Sequence, residues 1–182
     1  MSPYYPPFGT RDTSDWFLRS GVPEIDRETN DPASGQGGYC GRRITTVEFP
    51  DADLAEPVSA HLISALQSVH GDRAVRVIDL DADGRFGVPK RDAPPIMVVR
   101  AWPTPNFNPA IDIWPRVARW AERTNCSTIV MTYGPRSKSL AFYPHMRLMV
   151  GREGDHLLVK IVKNMLAARS GFLFTMPGPA AV

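Results

Sequence analysis

The chain has little of what usually marks a chemistry. Only two of its 182 residues are cysteine, Cys40 and Cys126. That is too few for a disulfide framework, and neither stands in a Cys-x-x-Cys pair. Two free thiols in a reducing compartment are expected, with no zinc or redox centre. No apolar run approaches the ~20 residues that span a bilayer, so no membrane contact is expected. The N-terminus opens on Pro, Tyr and Phe rather than on a basic stretch followed by an apolar one, and no export signal is expected.

The familiar catalytic patterns are missing too. There is no Gly-x-Ser-x-Gly elbow, no Gly-x-x-x-x-Gly-Lys phosphate loop and no Gly-x-Gly-x-x-Gly. His61 and His70 are nine positions apart, off the i, i+4 spacing that sets two imidazoles on one metal. His145 and His156 lie in a basic region as acid–base candidates, but satisfied or exposed histidines are the commoner case. An enzyme is not expected, and no cofactor is expected.

Charge of one sign is also lacking overall, since the formal net charge is +2. The balance hides an uneven distribution. Residues 1–38 carry six acids against three bases, residues 39–133 eleven of each, and residues 134–182 seven bases against two acids. An acidic beginning and a basic end can attract one another within a chain or between subunits.

What is present is an ordinary globular composition, 43% hydrophobic and 22% charged, enough for one domain with a core and an appendage. Residues 1–38 read as an extended arm, punctuated by Pro3, Pro6, Pro7, Pro23 and Pro32 and ended by a Gly-rich hinge, Ser34 to Gly38. A short helix is expected around Thr13 to Arg19. Tyr4, Tyr5, Phe8, Trp16 and Phe17 are too many aromatics for a solvating tail, so the arm is expected to dock on its own domain or on a neighbour.

The domain is expected over 39–176, with 177–182 as a tail. Residues 43–49 are rich in β-branched and aromatic side chains and read as a strand. Pro50 to Asp53 supply a stop and a cap, and Leu54, Val58, Leu62, Leu66 and Val69 recur at helical spacing over 53–70. A strand from Arg73, an acidic turn and a strand from Pro95 to Trp102 follow, expected at the centre of the sheet. A second helix runs from about Asp112 to an Asn125 cap, and Ser127 to Tyr133 is the clearest strand. Strand is expected again over 140–143 and 146–150, then a last helix from an Asp155 cap to about Arg169. The order β-α-β-β-α-β-β-α predicts an α+β fold, a mixed or antiparallel sheet packed with three helices, whose first six elements match a split βαββαβ unit.

Two local patterns invite a ligand. Asp79, Asp81 and Asp83, followed by Gly84, copy the first half of a calcium loop, in which alternate oxygens surround a hard cation. The second half departs, since Lys90 stands where the bidentate Glu belongs. Arg136, Lys138, Arg147 and Arg152 beside Phe142 and Tyr143 offer charge for phosphates and rings for stacking, so nucleic acid is a candidate partner through residues 136–152.

From Phe49 onward the chain resembles the tail-terminator proteins of long-tailed bacteriophages. A Phe-Pro-Asp start leads into a helix, Asp51 to His70. A strand, an acidic turn and an apolar strand follow from Arg73 to Arg100. A helix over 112–125, a strand over 127–133, a Gly134-Pro135 turn and an Arg147-led strand complete the likeness over about 49–150. The resemblance implies a structural subunit, a tail terminator or head–tail connector, that forms a homo-oligomeric ring in a virion or in host cytoplasm. Its partners would be copies of itself and other virion proteins, met through Tyr4, Tyr5, Phe8, Trp16, Phe17, Arg136, Lys138 and Arg147. A nucleic-acid-binding protein is the first alternative and a small α+β enzyme the second.

Overall fold

β3 (Ile44–Phe49) is the middle strand of the molecule, and all six of its residues are buried. A strand covered on both faces reads as a continuous apolar and β-branched run rather than an alternating one. In the structure, a computed structural model describing residues 16–80, 94–105, 113–134, 144–166 and 170–179, β3 is followed by α2 (Ala52–His70), β4 (Val75–Asp79), β5 (Ile96–Ala101), α3 (Trp114–Thr124), β6 (Ser127–Tyr133), β7 (Met146–Glu153), β8 (His156–Asn164) and β9 (Phe172–Pro177). Before it come β1 (Phe17–Leu18), α1 (Pro23–Glu28) and β2 (Tyr39–Cys40).

Seven strands form one mixed sheet in the order β4-β5-β6-β3-β7-β8-β9. β4, β5, β6, β3 and β7 run parallel, and β8 and β9 extend the sheet antiparallel. With three helices among the described residues the fold is α+β, as the sequence implied. The arrangement differs from a split βαββαβ unit because β4 and β5 are parallel, Val75 facing Ile96 and Asp79 facing Arg100. A parallel pair needs a crossover, not a tight turn. β4 is also an end strand, so the pair is not the centre of the sheet.

Alternation along each strand splits the core in two. Val98, Ile129, Met131, Val47, Leu148, Val159 and Ile161 share a cluster with Val58, Leu62 and Leu66 of α2 and Ile25 of α1. Met97, Val99, Ala101 and Val130 join Trp114, Val117 and Trp120 of α3. The helix starts follow local chemistry. The Asp51 carboxylate accepts the Leu54 backbone N–H at 3.0 Å and caps α2, while Asn125, at φ 53, ends α3 as expected. Pro57 lies in the second turn of α2 rather than the first, which leaves the carbonyl of exposed Asp53 to solvent.

The expected last helix is a strand. β7 and β8 are joined by the two residues Gly154-Asp155, with Gly154 at φ 59, and such a pair suits a tight hairpin. Leu157, Val159 and Ile161 are buried while Leu158 and Lys160 between them are not, a period of two. The stripe that suggested a helix arose because Leu158 and Val162 are apolar on the other face as well. The expected strand at 140–143 lies outside the described residues.

Residues 16–38 are docked on their own domain. The expected helix around Thr13 to Arg19 is, where described, strand β1, with Phe17 paired to Cys40 and Leu18 to Tyr39. Val22 and Ile25 enter the core. The end of the Gly-rich run, Gly37-Gly38, is a close-packed seam, while Ser34 and Gly35 are exposed. A β-carbon on Gly37 would collide with the Asp26 carbonyl, and one on Gly38 with that of Leu18. Thr29 Oγ1 accepts from Gly38 N at 2.8 Å, and Asn164 Nδ2 donates to the Thr29 carbonyl at 3.3 Å, tying this layer to β8.

Candidate functional site: the two ends of the sheet and its polar seam

The sheet has two ends, and they are built differently. At one end, β4 carries Arg76 and Asp79, both exposed. Asp79 is held by Arg100 of β5 through two hydrogen bonds, Nε to Oδ1 at 2.6 Å and Nη2 to Oδ2 at 2.8 Å, and Glu56 of α2 stands 3.9 Å from the same guanidinium. The bond to Asp79 raises the Arg100 pKa. The calcium pattern therefore loses its first oxygen to an ion pair. Asp81 and Asp83 lie outside the described residues, and no group of three or more His, Cys, Asp or Glu among the described residues is placed to hold a metal. Charges on an end strand blunt its tendency to pair with another chain.

At the other end, β9 has no such device. Residues 170–179, Ser-Gly-Phe-Leu-Phe-Thr-Met-Pro-Gly-Pro, contain no charge at all. Phe174 and Met176 point into the core, whereas Phe172 and Leu173 are 41% and 51% exposed. No described strand lies beyond β9. Scattered exposed apolar residues are ordinary, but two adjacent ones on an uncharged end strand are not the usual way a sheet ends.

Between the ends runs a polar seam. Glu48 of β3 and Arg147 of β7 form a bidentate pair, Nε to Oε1 and Nη2 to Oε2, the latter at 2.9 Å, with side chains only 7% and 13% exposed. The hydrogen bond to Glu48 raises the Arg147 pKa. Arg147 was expected to meet a partner, but its guanidinium is committed inside the fold. Next to it, Arg43 Nη1 approaches His145 Nε2 at 3.2 Å. Arginine only donates, so Nε2 accepts and the ring proton sits on Nδ1, which is buried with no hydrogen-bond partner. Burial, then the charges of Arg43 and Lys163, push the His145 pKa down to about 4, so the ring is neutral near pH 7. Lys163 faces Arg147 across β7 and β8 beside a register shift at Arg147/Leu148, and burial lowers its pKa.

Of the residues expected to meet a partner, Trp16 and Phe17 are half-buried against their own chain, the Trp16 carbonyl accepting from Gly41 N at 2.8 Å. Tyr4, Tyr5, Phe8, Arg136 and Lys138 lie outside the described residues. Both cysteines are free and buried; burial pushes the Cys40 thiol up to about 12 and raises that of Cys126. Sequence reasoning missed an aromatic cluster at the C-terminal edge of the parallel strands, where Trp102 packs on Phe49 and Tyr133 with ring centroids 6.4 and 5.4 Å apart. It also missed an open depression of about 470 Å³ at the opposite edge, lined by Phe17, Arg42, His70, Ile96, Asn125 and Ser127.

Comparison with models of known protein families finds no match, and comparison with curated proteins finds none either.

Proposed function

We propose that this chain is a structural assembly protein that works as a homo-oligomer, in line with its resemblance to the tail-terminator proteins, and that its setting is a phage tail or head–tail junction. The observation that supports this reading most is β9: an uncharged end strand that exposes Phe172 and Leu173. Two apolar side chains at about half exposure represent on the order of 2 kcal/mol of hydrophobic free energy for a neighbour to recover. Residues 1–15 include the aromatics Tyr4, Tyr5 and Phe8, which the same reading takes as contact residues. Sedimentation of the full chain over a hundredfold range of concentration tests the proposal. A mass several times 20 kDa supports it, and a monomer throughout overturns it.

A second reading rests on the basic end of the chain, where residues 134–182 carry seven bases against two acids, a balance that suits a polyanion such as nucleic acid. Binding to a labelled oligonucleotide that weakens steeply between about 50 and 200 mM salt is what phosphate contacts require. Binding that ignores salt excludes this second reading.

A further inference from the structure

We infer that the depression at the amino-terminal edge of the parallel strands binds a neutral planar heterocycle of purine size, held against Phe17 with its polar rim on Asn125, Ser127 and His70. The heterocycle is a free nucleoside or a base of a single strand. The inference is independent of how copies of the chain assemble.

The depression, about 470 Å³, has the size of a small-molecule cleft, on the order of 300–1,000 Å³. Stretches far apart in the chain meet there. β1 brings Phe17, the turn after β2 brings Arg42, the end of α2 brings His70, the start of β5 brings Ile96, and the end of α3 brings Asn125 with Ser127 just beyond. Arg42 and Asn125 hold left-handed backbone, at φ 52 and φ 53, and among the described residues they are the only non-glycine ones that do. Asn125 is accounted for as the cap of α3. Arg42 lies in a turn where glycine would fit at lower cost, and backbone strain of this kind gathers at ligand sites. It is fixed there by its N–H, which donates to Ser127 Oγ at 2.8 Å. The neighbouring Gly41 N–H, which donates to the Trp16 carbonyl at 2.8 Å, pins the same turn to β1.

Bonds within the fold set the polar groups. Ser127 Oγ accepts from Arg42, so its own proton is left to donate. His70 Nε2 lies 2.8 Å from the Arg19 carbonyl. A carbonyl only accepts, so in the neutral ring Nε2 carries the proton and Nδ1 is an acceptor. Asn125 adds a carboxamide, whose donor and acceptor side by side match the edge of a base. Half-buried Phe17 supplies a ring for stacking, and buried Ile96 an apolar floor. Charge then selects a neutral ligand. Among the described residues that line the depression there is no acid, and Arg42 is the fixed charge. The carbonyl ends of α2 and α3 offset it, since a helix C-terminus carries about half a negative charge. A phosphate would meet those carbonyls, and an ammonium would meet Arg42. A flat neutral ring with nitrogen and carbonyl groups on its rim meets neither penalty.

The test is calorimetric titration of the full chain with adenosine and with inosine, at least one of which should bind saturably. Phe17→Leu keeps an apolar side chain in β1 and removes the stacking face, and should weaken binding roughly tenfold or more. Asn125→Gly keeps the left-handed cap, which glycine adopts freely. It should therefore unfold at the wild-type midpoint while binding weakens roughly fivefold to tenfold. The source of the ring is read by competition. A single-stranded oligodeoxyadenylate that displaces the nucleoside identifies a base of a strand, and one that leaves it bound identifies a free nucleoside. No saturable binding of either nucleoside up to about 5 mM overturns the site, as does binding that Phe17→Leu and Asn125→Gly both leave unchanged. Ribose that displaces the nucleoside at equal concentration overturns the stacked ring.

Discussion

Replacing His145 by glutamine should flatten the acid side of the stability profile. In the folded chain burial, Arg43 and Lys163 hold the imidazole pKa down to about 4, against an ordinary value of 6.5. A depressed pKa on a basic group means that the unfolded chain takes up a proton that the folded chain refuses. Stability is therefore unaffected by this group well above pH 6.5, declines as pH falls below it, and stops declining near the folded pKa. The two pKa values correspond to a loss of about 2 kcal/mol between pH 7 and pH 5. For a chain of this size that is a drop of roughly 4–8 °C in the unfolding midpoint. Glutamine keeps an acceptor for Arg43 and cannot take up the proton. The assay is urea unfolding of wild type and His145→Gln at pH 7 and pH 5. Carboxylates titrate in both proteins and cancel in the difference, which should be close to the 2 kcal/mol. If both proteins lose the same stability between the two pH values, the histidine is not held neutral by its surroundings and the argument fails.

Two further predictions concern the interior. Glu48→Ala alone should cost about 3–5 kcal/mol, since it strands the Arg147 guanidinium in a largely buried site, whereas the double change Glu48→Leu with Arg147→Met should recover most of that loss; a single-mutant cost below about 1 kcal/mol, measured by denaturant unfolding, would mean that the pair behaves like an exposed one. Cys40, with its thiol pushed up to about 12, should resist a thiol-specific reagent at pH 8 in the folded chain and react fully in denaturant, and rapid labelling of the native protein would contradict its burial.

Some elements were legible because they rest on short-range chemistry. Asp51 as a cap, the stripe of Leu54, Val58, Leu62 and Leu66, and Asn125 ending α3 each depend on neighbours within about one helical turn. The β8 strand was missed for a local reason too: with Leu157, Leu158, Val159, Ile161 and Val162 apolar, both a period of two and a period of 3.6 find a face. The two-residue Gly154-Asp155 loop decides in favour of the hairpin. The docking of residues 16–38 was half legible. The aromatics signalled contact, but the glycines read as freedom, whereas Gly37 and Gly38 serve as places where two backbones meet too closely for a side chain.

The candidate site divides the same way. The sequence by itself determined that β9 carries no charge, that Asp79 belongs to an acidic stretch and that the chain makes an α+β domain, since these follow from residue types and their spacing. Only the tertiary structure decided that β9 is the last described strand of the sheet while β3 lies at its centre, that Asp79 is taken by Arg100, and that Arg147 is taken by Glu48, 99 positions away. The physical reason is that strand order and ion pairing are settled by which distant segments bury each other's apolar faces. Residue spacing along one stretch of chain carries no record of that choice.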